Sequence, residues 1–416
     1  MSQSKEKLLY LIRAEGDFER VVSLAIAGKG RFVQSFIFVG DFHPIFEYGI
    51  ENKFQKKLFA QHGFRVLNLT DFSLLGKILE KFSSKEKSAS LDREIKEKKI
   101  WRALKVLFLY VLKGYLQYRK KALASKVIIR LKPDRLFTDQ SMSGKDYLPE
   151  IFRSVAKKFN IPSFLFTHGA GGALHQPFHD VKVEPYDGYH VFSCNKYENN
   201  GYKNRTIIGD MVSSYPYENY LASLDLEEIK FYDDRKYRIA FIQSGIATAF
   251  TLTNAWSVME EIIINHSNRE DIAIVVKTHP RERQNIDERI IGRFNNTRIV
   301  GAECDRSRVV KWANVVVCSD HCSAIFSPMI QGKVVVCISG LSIPKYQSRH
   351  SPVKGSSVNH ISSAKEFDLC QFNESRPNDP IIDEFCWGGH GHIDLAKLTL
   401  SNEVLSGRIK IGRAHV

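Results

Sequence analysis

The chain has 416 residues, 43% of them hydrophobic and 25% charged, and its 60 Lys and Arg exceed its 46 Asp and Glu to leave a formal +14. That composition is globular, not disordered or fibrous, and the length suits about two to three domains. Seven cysteines with no Cys-x-x-Cys pair argue against a zinc ribbon or a disulfide framework and point to a reducing cytoplasm.

Residues Met1 to Lys7 lead into a strand with no secretory h-region. The densest apolar run, Val106–Leu112, is far shorter than the roughly 20 residues of a membrane span. Short β-rich runs then alternate with helical patterns, the mark of βαβ units and a parallel sheet. Strands are predicted at Leu8–Ile12, Ser35–Val39, Arg65–Leu69, Arg135–Thr138, Ser163–Thr167 and Gly188–Ser193. Helices are predicted at Phe18–Ala27, Phe46–Gln61 and Leu148–Phe159, with Asp17 placed to cap the first.

Residues 83–132 interrupt this rhythm as a basic helical insertion. Between Lys85 and Lys132 fifteen Lys and Arg face four acids, and no acid occurs from Lys98 onward. Such a block calls for an anionic partner or forms a solvated helix face. Apolar residues such as Trp101 and Phe108, mixed with Arg102, Lys105, Lys113, Arg119, Lys120 and Lys121, suit either a membrane surface or a cover for the first sheet.

A polar, Tyr-rich stretch at 213–236 reads as a linker between a first domain, 1–212, and a second, 237–410. In the second, strands are predicted at Tyr237–Gln243, Ile272–Lys277, Thr297–Val300, Asn314–Cys318 and Val334–Ile338. Helices are predicted at Ala255–Asn265, at Gln284–Phe294, between the last two strands, and near Ile393–Thr399. The final six residues, 411–416, resemble a translated sequencing adapter and are set aside as a non-native tail. Two Rossmann-like α/β domains of this kind, binding ligand at strand carboxyl ends that face a cleft, form the expected architecture.

Chemistry-bearing residues gather at predicted strand ends. Ile272 to Arg281 is a buried run closing on Lys277, His279, Pro280 and Arg281. Asn314 to Phe326 is a strand, then a hydroxyl-rich turn with Ser319 and Ser323, then a helix start; Gln331-Gly-Lys-Val-Val-Val-Cys337 follows. A strand-to-helix turn presents backbone N–H groups to an anion, and a neighbouring His and Arg can neutralise charge on a departing phosphate. Ser244 and Gly245 offer a further phosphate-facing turn. Ile161 to Gly172 ends a strand on His168 and a glycine turn, suiting deprotonation of an acceptor hydroxyl, and Glu15 and Asp17 follow the first strand as acidic alternatives, Asp139 as another. The opposing readings are a turn-capping His279, a structural His168 and an N-capping Asp17.

The segment from Ile272 to Ile338 resembles the C-terminal domain of bacterial surface-polysaccharide GT-B glycosyltransferases: polysialyltransferases, capsule Kdo-transferases and CDP-glycerol glycerophosphotransferases. Val334 stands where those families usually carry Pro, and Ser327-Pro328 where Glu-Ala is common. The resemblance implies a nucleotide-sugar donor, CMP-linked by preference, held by Lys277, His279, Arg281, Ser319, Ser323, Ser244 and Gly245. The acceptor would be a glycan or lipid-linked glycan such as capsule or lipopolysaccharide, deprotonated by His168 or by an acid such as Glu15. A CDP-polyol phosphotransferase and a non-catalytic binding protein of a polysaccharide assembly complex remain alternatives. No Asp-x-Asp occurs, and neither His168, His175 and His179 nor His390 and His392 gain the Cys or acidic partners of a metal site, so no metal or cofactor is expected. Phosphate-loop and dinucleotide fingerprints are absent, and so are the aromatic platforms of a nucleic-acid binder. The expected location is cytoplasmic, with peripheral attachment to the inner membrane.

Overall fold

The computed structural model describes residues 5–12, 15–39, 63–67, 72, 99–139, 148–166, 189–193, 205–213, 229–232, 234–243, 255–278, 292–301, 304, 306–319, 323–339, 356–391 and 393–406; for some, including 15–19 and 99–113, only the backbone is described. The chain separates into two compact units. The first comprises Met1–His168, Tyr186–Phe192 and Lys203–Arg205, the second Gly169–Pro185, Ser193–Tyr202 and Thr206–Val416.

The first sheet runs in the order β3-β2-β1-β4-β5-β6-β7, with β1 Lys7–Ile12, β2 Val33–Phe38, β3 Arg65–Leu67, β4 Arg135–Asp139, β5 Ser163–Phe166, β6 Tyr189–Ser193 and β7 Arg205–Ile207. From β3 through β6 the neighbours pair in parallel. Side chains alternate between faces along a strand, so each strand feeds two cores. On one face Leu9, Leu11, Ile37 and Leu136 pack with Leu123, Val127 and Ile128 of helix α2 (Lys99–Leu131) and with Ile151, Phe152 and Val155 of α3 (Leu148–Lys158). On the other, rings from adjacent strands stack, the first three pairs between register partners. Phe36 to Tyr10 is 4.9 Å between centroids, Tyr10 to Phe137 5.0 Å, Phe137 to Phe164 5.0 Å and Phe164 to Phe192 5.6 Å.

Helix α1 spans Glu15–Ala27, starting three residues before the predicted Phe18. Asp17 therefore lies inside the first turn and is not the N-cap; there an acid meets the helix dipole instead of closing the helix end. The predicted helix Phe46–Gln61 lies outside the described residues. So does most of Gln284–Phe294, whose described residues 292–294 are turn and coil.

The second sheet runs β10-β9-β8-β11-β12-β13, with β8 Tyr237–Ile242, β9 Ile272–Lys277, β10 Thr297–Val300, β11 Val315–Ser319, β12 Val334–Ile338 and β13 Asn359–Ile361. All five pairs are parallel. Strands buried on both faces need continuous β-branched runs, and Ile-Ala-Ile-Val-Val in β9 and Val-Val-Val in β11 supply them. Ile274, Val276, Val317 and Val336 pack on Met259, Ile262 and Ile263 of α4 (Ala255–His266). Asn314 sets the entry of β11: its Oδ1 accepts from the Arg238 amide at 2.8 Å and its Nδ2 donates to the Lys236 carbonyl at 2.8 Å.

Short helices complete this unit. They are α5 Arg306–Trp312, α6 Phe326–Ile330, α7 Pro380–Cys386, α8 Leu395–Thr399 and α9 Asn402–Leu405. Asp379, Asp394 and Ser401 cap α7, α8 and α9, accepting from Ile381, Lys397 and Val404 amides at 3.1, 3.1 and 3.3 Å. Pro380 follows its cap at the first helical position, where no N–H is missed. Within 229–236, Ile229 is buried and the Phe231 carbonyl accepts from Trp312 Nε1 at 3.1 Å, so this part of the Tyr-rich stretch packs onto the second unit.

Candidate functional site

In each sheet the first strand in sequence lies beside the fourth: β1 beside β4, and β8 beside β11. Crossovers leave such a pair in opposite directions, which opens a crevice at its carboxyl ends where open α/β sheets take their ligands. In the second unit that position is flanked by the end of β8, followed by Gln243, and by the end of β11 at Ser319. Gln243 is buried, and its backbone N–H donates to the Lys277 carbonyl at 3.1 Å. Ser319 is 3% exposed and pairs in register with Ile338.

Beyond Ser319 the chain re-enters regular structure at Ser323, the first residue of a 3-10 turn, Ser323–Ile325, that runs into α6. Buried Ala324, Ile325, Phe326 and Met329 pin this turn, and Phe326 stacks on Phe385 at 5.9 Å. Pro328 is third in α6, early enough that its missing N–H breaks no helical bond. A five-residue helix aligns few peptide dipoles, so an anion here would rely on local N–H and hydroxyl donors more than on a macrodipole.

Lys277 ends β9 on the side away from this crevice. Its ammonium, on a residue 7% exposed, donates to the Gly301 carbonyl at 2.8 Å and to the Thr278 carbonyl at 3.1 Å. The Thr278 amide also donates to the Val300 carbonyl at 3.0 Å. Lys277 thus ties the ends of β9 and β10 together and fixes the direction in which the chain departs toward His279. His279, Arg281, Ser244, Gly245 and His168 lie outside the described residues, and for Ser323 only the backbone is described. Glu15 and Asp17 stand just beyond the carboxyl end of β1, beside the first sheet's own switch point.

Sequence reasoning missed the polar groups at the ends of β12 and β13. His360 Nδ1 lies 3.3 Å from Ser339 Oγ. The Glu366 carboxylate accepts from Ser362 Oγ at 2.6 Å, the Ser362 amide at 2.8 Å and Ser363 Oγ at 3.0 Å, and these bonds hold its carboxyl below the ordinary range. The only sequence signal was the Ser-x-x-Glu capping pattern from Ser363 to Glu366. His390 sets Nε2 3.3 Å from the Ile207 carbonyl, a contact with backbone. Among the described residues no His, Cys, Asp and Glu group is placed to hold a metal, and no helix is long and apolar enough to cross a membrane. His168, His175, His179 and His392 lie outside the described residues.

No family model matches the sequence, and no curated protein matches it. Solved structures do. The S. aureus MnaA–UDP complex is similar over 96% of both chains, with a TM-score of 0.56 and 11% identity. UDP-GlcNAc 2-epimerase from Neisseria meningitidis, bound to UDP-GlcNAc, is similar over 87% of this chain and 88% of its own, with a TM-score of 0.51 and 9% identity. The fold is GT-B. At such low identity the likeness extends to architecture alone, two Rossmann-like α/β units; in this chain the first carries a long basic helix and the second a switch point at β8 and β11.

Proposed function

We propose that this GT-B protein is a nucleotide-sugar enzyme and, in its finer assignment, a metal-independent glycosyltransferase. It would move a sugar from a CMP-linked donor onto a bacterial surface glycan such as capsule or lipopolysaccharide. One observation carries the donor assignment: β8 lies beside β11, and β11 ends on the buried hydroxyl residue Ser319. In this reading Ser319, Ser323 and the Ser244-Gly245 turn hold the donor phosphates. His279 and Arg281 neutralise the charge that develops on the leaving nucleotide. Lys277 positions that segment from beneath. The domain at 237–410 is the donor domain, and 1–212 the acceptor domain. His168 takes the proton from the acceptor hydroxyl, with Glu15 as the acidic alternative.

A second reading draws on the similar structures. MnaA was solved with UDP and the Neisseria epimerase with UDP-GlcNAc. The same crevice would then hold a UDP-sugar, and the reaction would be rearrangement of the sugar without an acceptor.

A thermal-shift panel of CMP, CDP, UDP and GDP, followed by turnover with and without a glycan acceptor, separates the readings. Stabilisation by CMP and acceptor-dependent release of CMP support the glycosyltransferase. Release of CMP from a CDP-polyol marks the phosphotransferase variant, and acceptor-independent turnover of UDP-GlcNAc marks an epimerase. Nucleotide binding without any turnover makes the protein a binding module, and no binding at all refutes the nucleotide site.

A further inference from the structure

Helix α2 spans 33 residues and carries nine Lys and Arg and no acid. At about 1.5 Å per residue it is roughly 50 Å long. Its last turns belong to the first unit's core: Leu123, Ala124, Val127 and Ile128 are buried at 2% exposure or less. The opposite face is open. Tyr115 is 53% exposed, Tyr118 69% and Ile129 56%, with exposed Ala122 and Lys126 on the same stripe by helical spacing. Lys121 is exposed beside this stripe, and the Arg119 guanidinium lies 5.8 Å from the Tyr115 ring. Lys120, by contrast, is half-buried. Arg102, Lys105 and Lys113 lie on the same helix, where only the backbone is described.

From this we infer that the outer face of α2, from Tyr115 to Ile129, is a docking strip for an anionic lipid surface. The strip is straight and about 21 Å long, because one rigid helix supports it from the core side. Tyrosine rings suit the headgroup level, with their apolar bodies inward and their hydroxyls in water, and Ile129 adds an aliphatic contact. Flanking cations meet anionic headgroups with no acid on the helix to repel them. A second copy of the strip would bring like charges together, which argues against a homodimer through this face. For a nucleic acid, the aliphatic Ile129 offers neither stacking nor phosphate pairing.

The strip does not depend on the nucleotide-sugar reading, so the test contains no nucleotide. The full chain is sedimented with neutral phosphatidylcholine vesicles and with vesicles holding about 30 mol% phosphatidylglycerol, at low and at high salt. Wild-type protein should bind the anionic vesicles at low salt, leave them at high salt and ignore the neutral ones. Lys121→Glu with Lys126→Glu should lower the partition coefficient at least about 25-fold. Tyr115→Ser with Tyr118→Ser should lower it about tenfold. All four positions are exposed, so melting temperatures should match wild type; should the charge reversal lower them, Lys121→Gln with Lys126→Gln serves instead. Failure of wild type to bind at low salt, equal binding to neutral vesicles, or full binding by well-folded double variants each overturns the inference. Retention of a short oligonucleotide without vesicle binding would reassign the strip to nucleic acid.

Discussion

Two buried polar side chains of the strands have opposite standing. Lys277 hands its ammonium to the Gly301 and Thr278 carbonyls. Lys277→Met keeps the aliphatic bulk and removes both bonds, which should cost about 2 kcal/mol in a denaturant titration. Unchanged stability with weakened nucleotide binding would instead place the ammonium on the donor. Tyr10 is the reverse case. It stacks between Phe36 and Phe137, fully buried, and its hydroxyl finds no partner among the described residues. Burial pushes that phenol well above its ordinary range. Tyr10→Phe keeps the stack and removes the orphan, so calorimetry should show the melting temperature raised by about 2–4 °C. A lowered melting temperature would mean that the hydroxyl is bonded after all.

Among the elements, the joint after β7 is the most sensitive to substitution. Gly209 has φ +78°, and a Cβ there would lie 2.1 Å from the Cys386 carbonyl oxygen at the end of α7. The Asp210 amide donates to the Phe385 carbonyl at 3.1 Å across the same contact. Gly209→Ala therefore meets backbone that cannot move without breaking the joint, and a loss above about 3 kcal/mol is expected. Gly389 has a similar φ, +80°, with nothing within 4 Å of an added Cβ. Gly389→Ala should cost only about 1 kcal/mol, the left-handed backbone penalty alone. Equal losses in urea unfolding would show that conformation, not close approach, selects glycine at 209.

At the scale of the whole molecule, the proposed chemistry divides between groups acting on the donor and a base acting on the acceptor, and kinetics can tell them apart. His279→Ala should reduce turnover about 100-fold with the melting temperature unchanged, because it removes a partner of charge that exists only in the transition state. His168→Asn should lower kcat most for poor acceptors and leave the donor KM alone. If Glu15→Gln proves the more damaging change, the base is the acid at the start of α1. Near-normal activity in His279→Ala would move the phosphate site elsewhere.

What the sequence determined by itself was set by local periodicity. Continuous β-branched runs such as Ile272–Lys277 and Val334–Ile338 are strands in any compact setting, so the α/β class, the two Rossmann-like halves and the basic helix could be read directly. The placement of Lys277 and Ser319 at strand ends was legible for the same reason. Several short elements without such a run were not. β7, β13, α5 and α7 carry too few residues to show a period, and contacts far along the chain hold them: Gly209 against Cys386, Asn359 Nδ2 to the Val335 carbonyl, the Trp312 indole to the Phe231 carbonyl and the Ser357 amide to the Asp379 carboxylate. Tertiary structure alone also decided what each polar residue does. Lys277 reads as a ligand in one dimension, but its ammonium is taken by carbonyls 24 residues away and next door. In α2 the sequence could not choose between covering the core and facing outward. The folded helix does both, because its 3.6-residue turn carries Val127 to one side and Ile129 to the other.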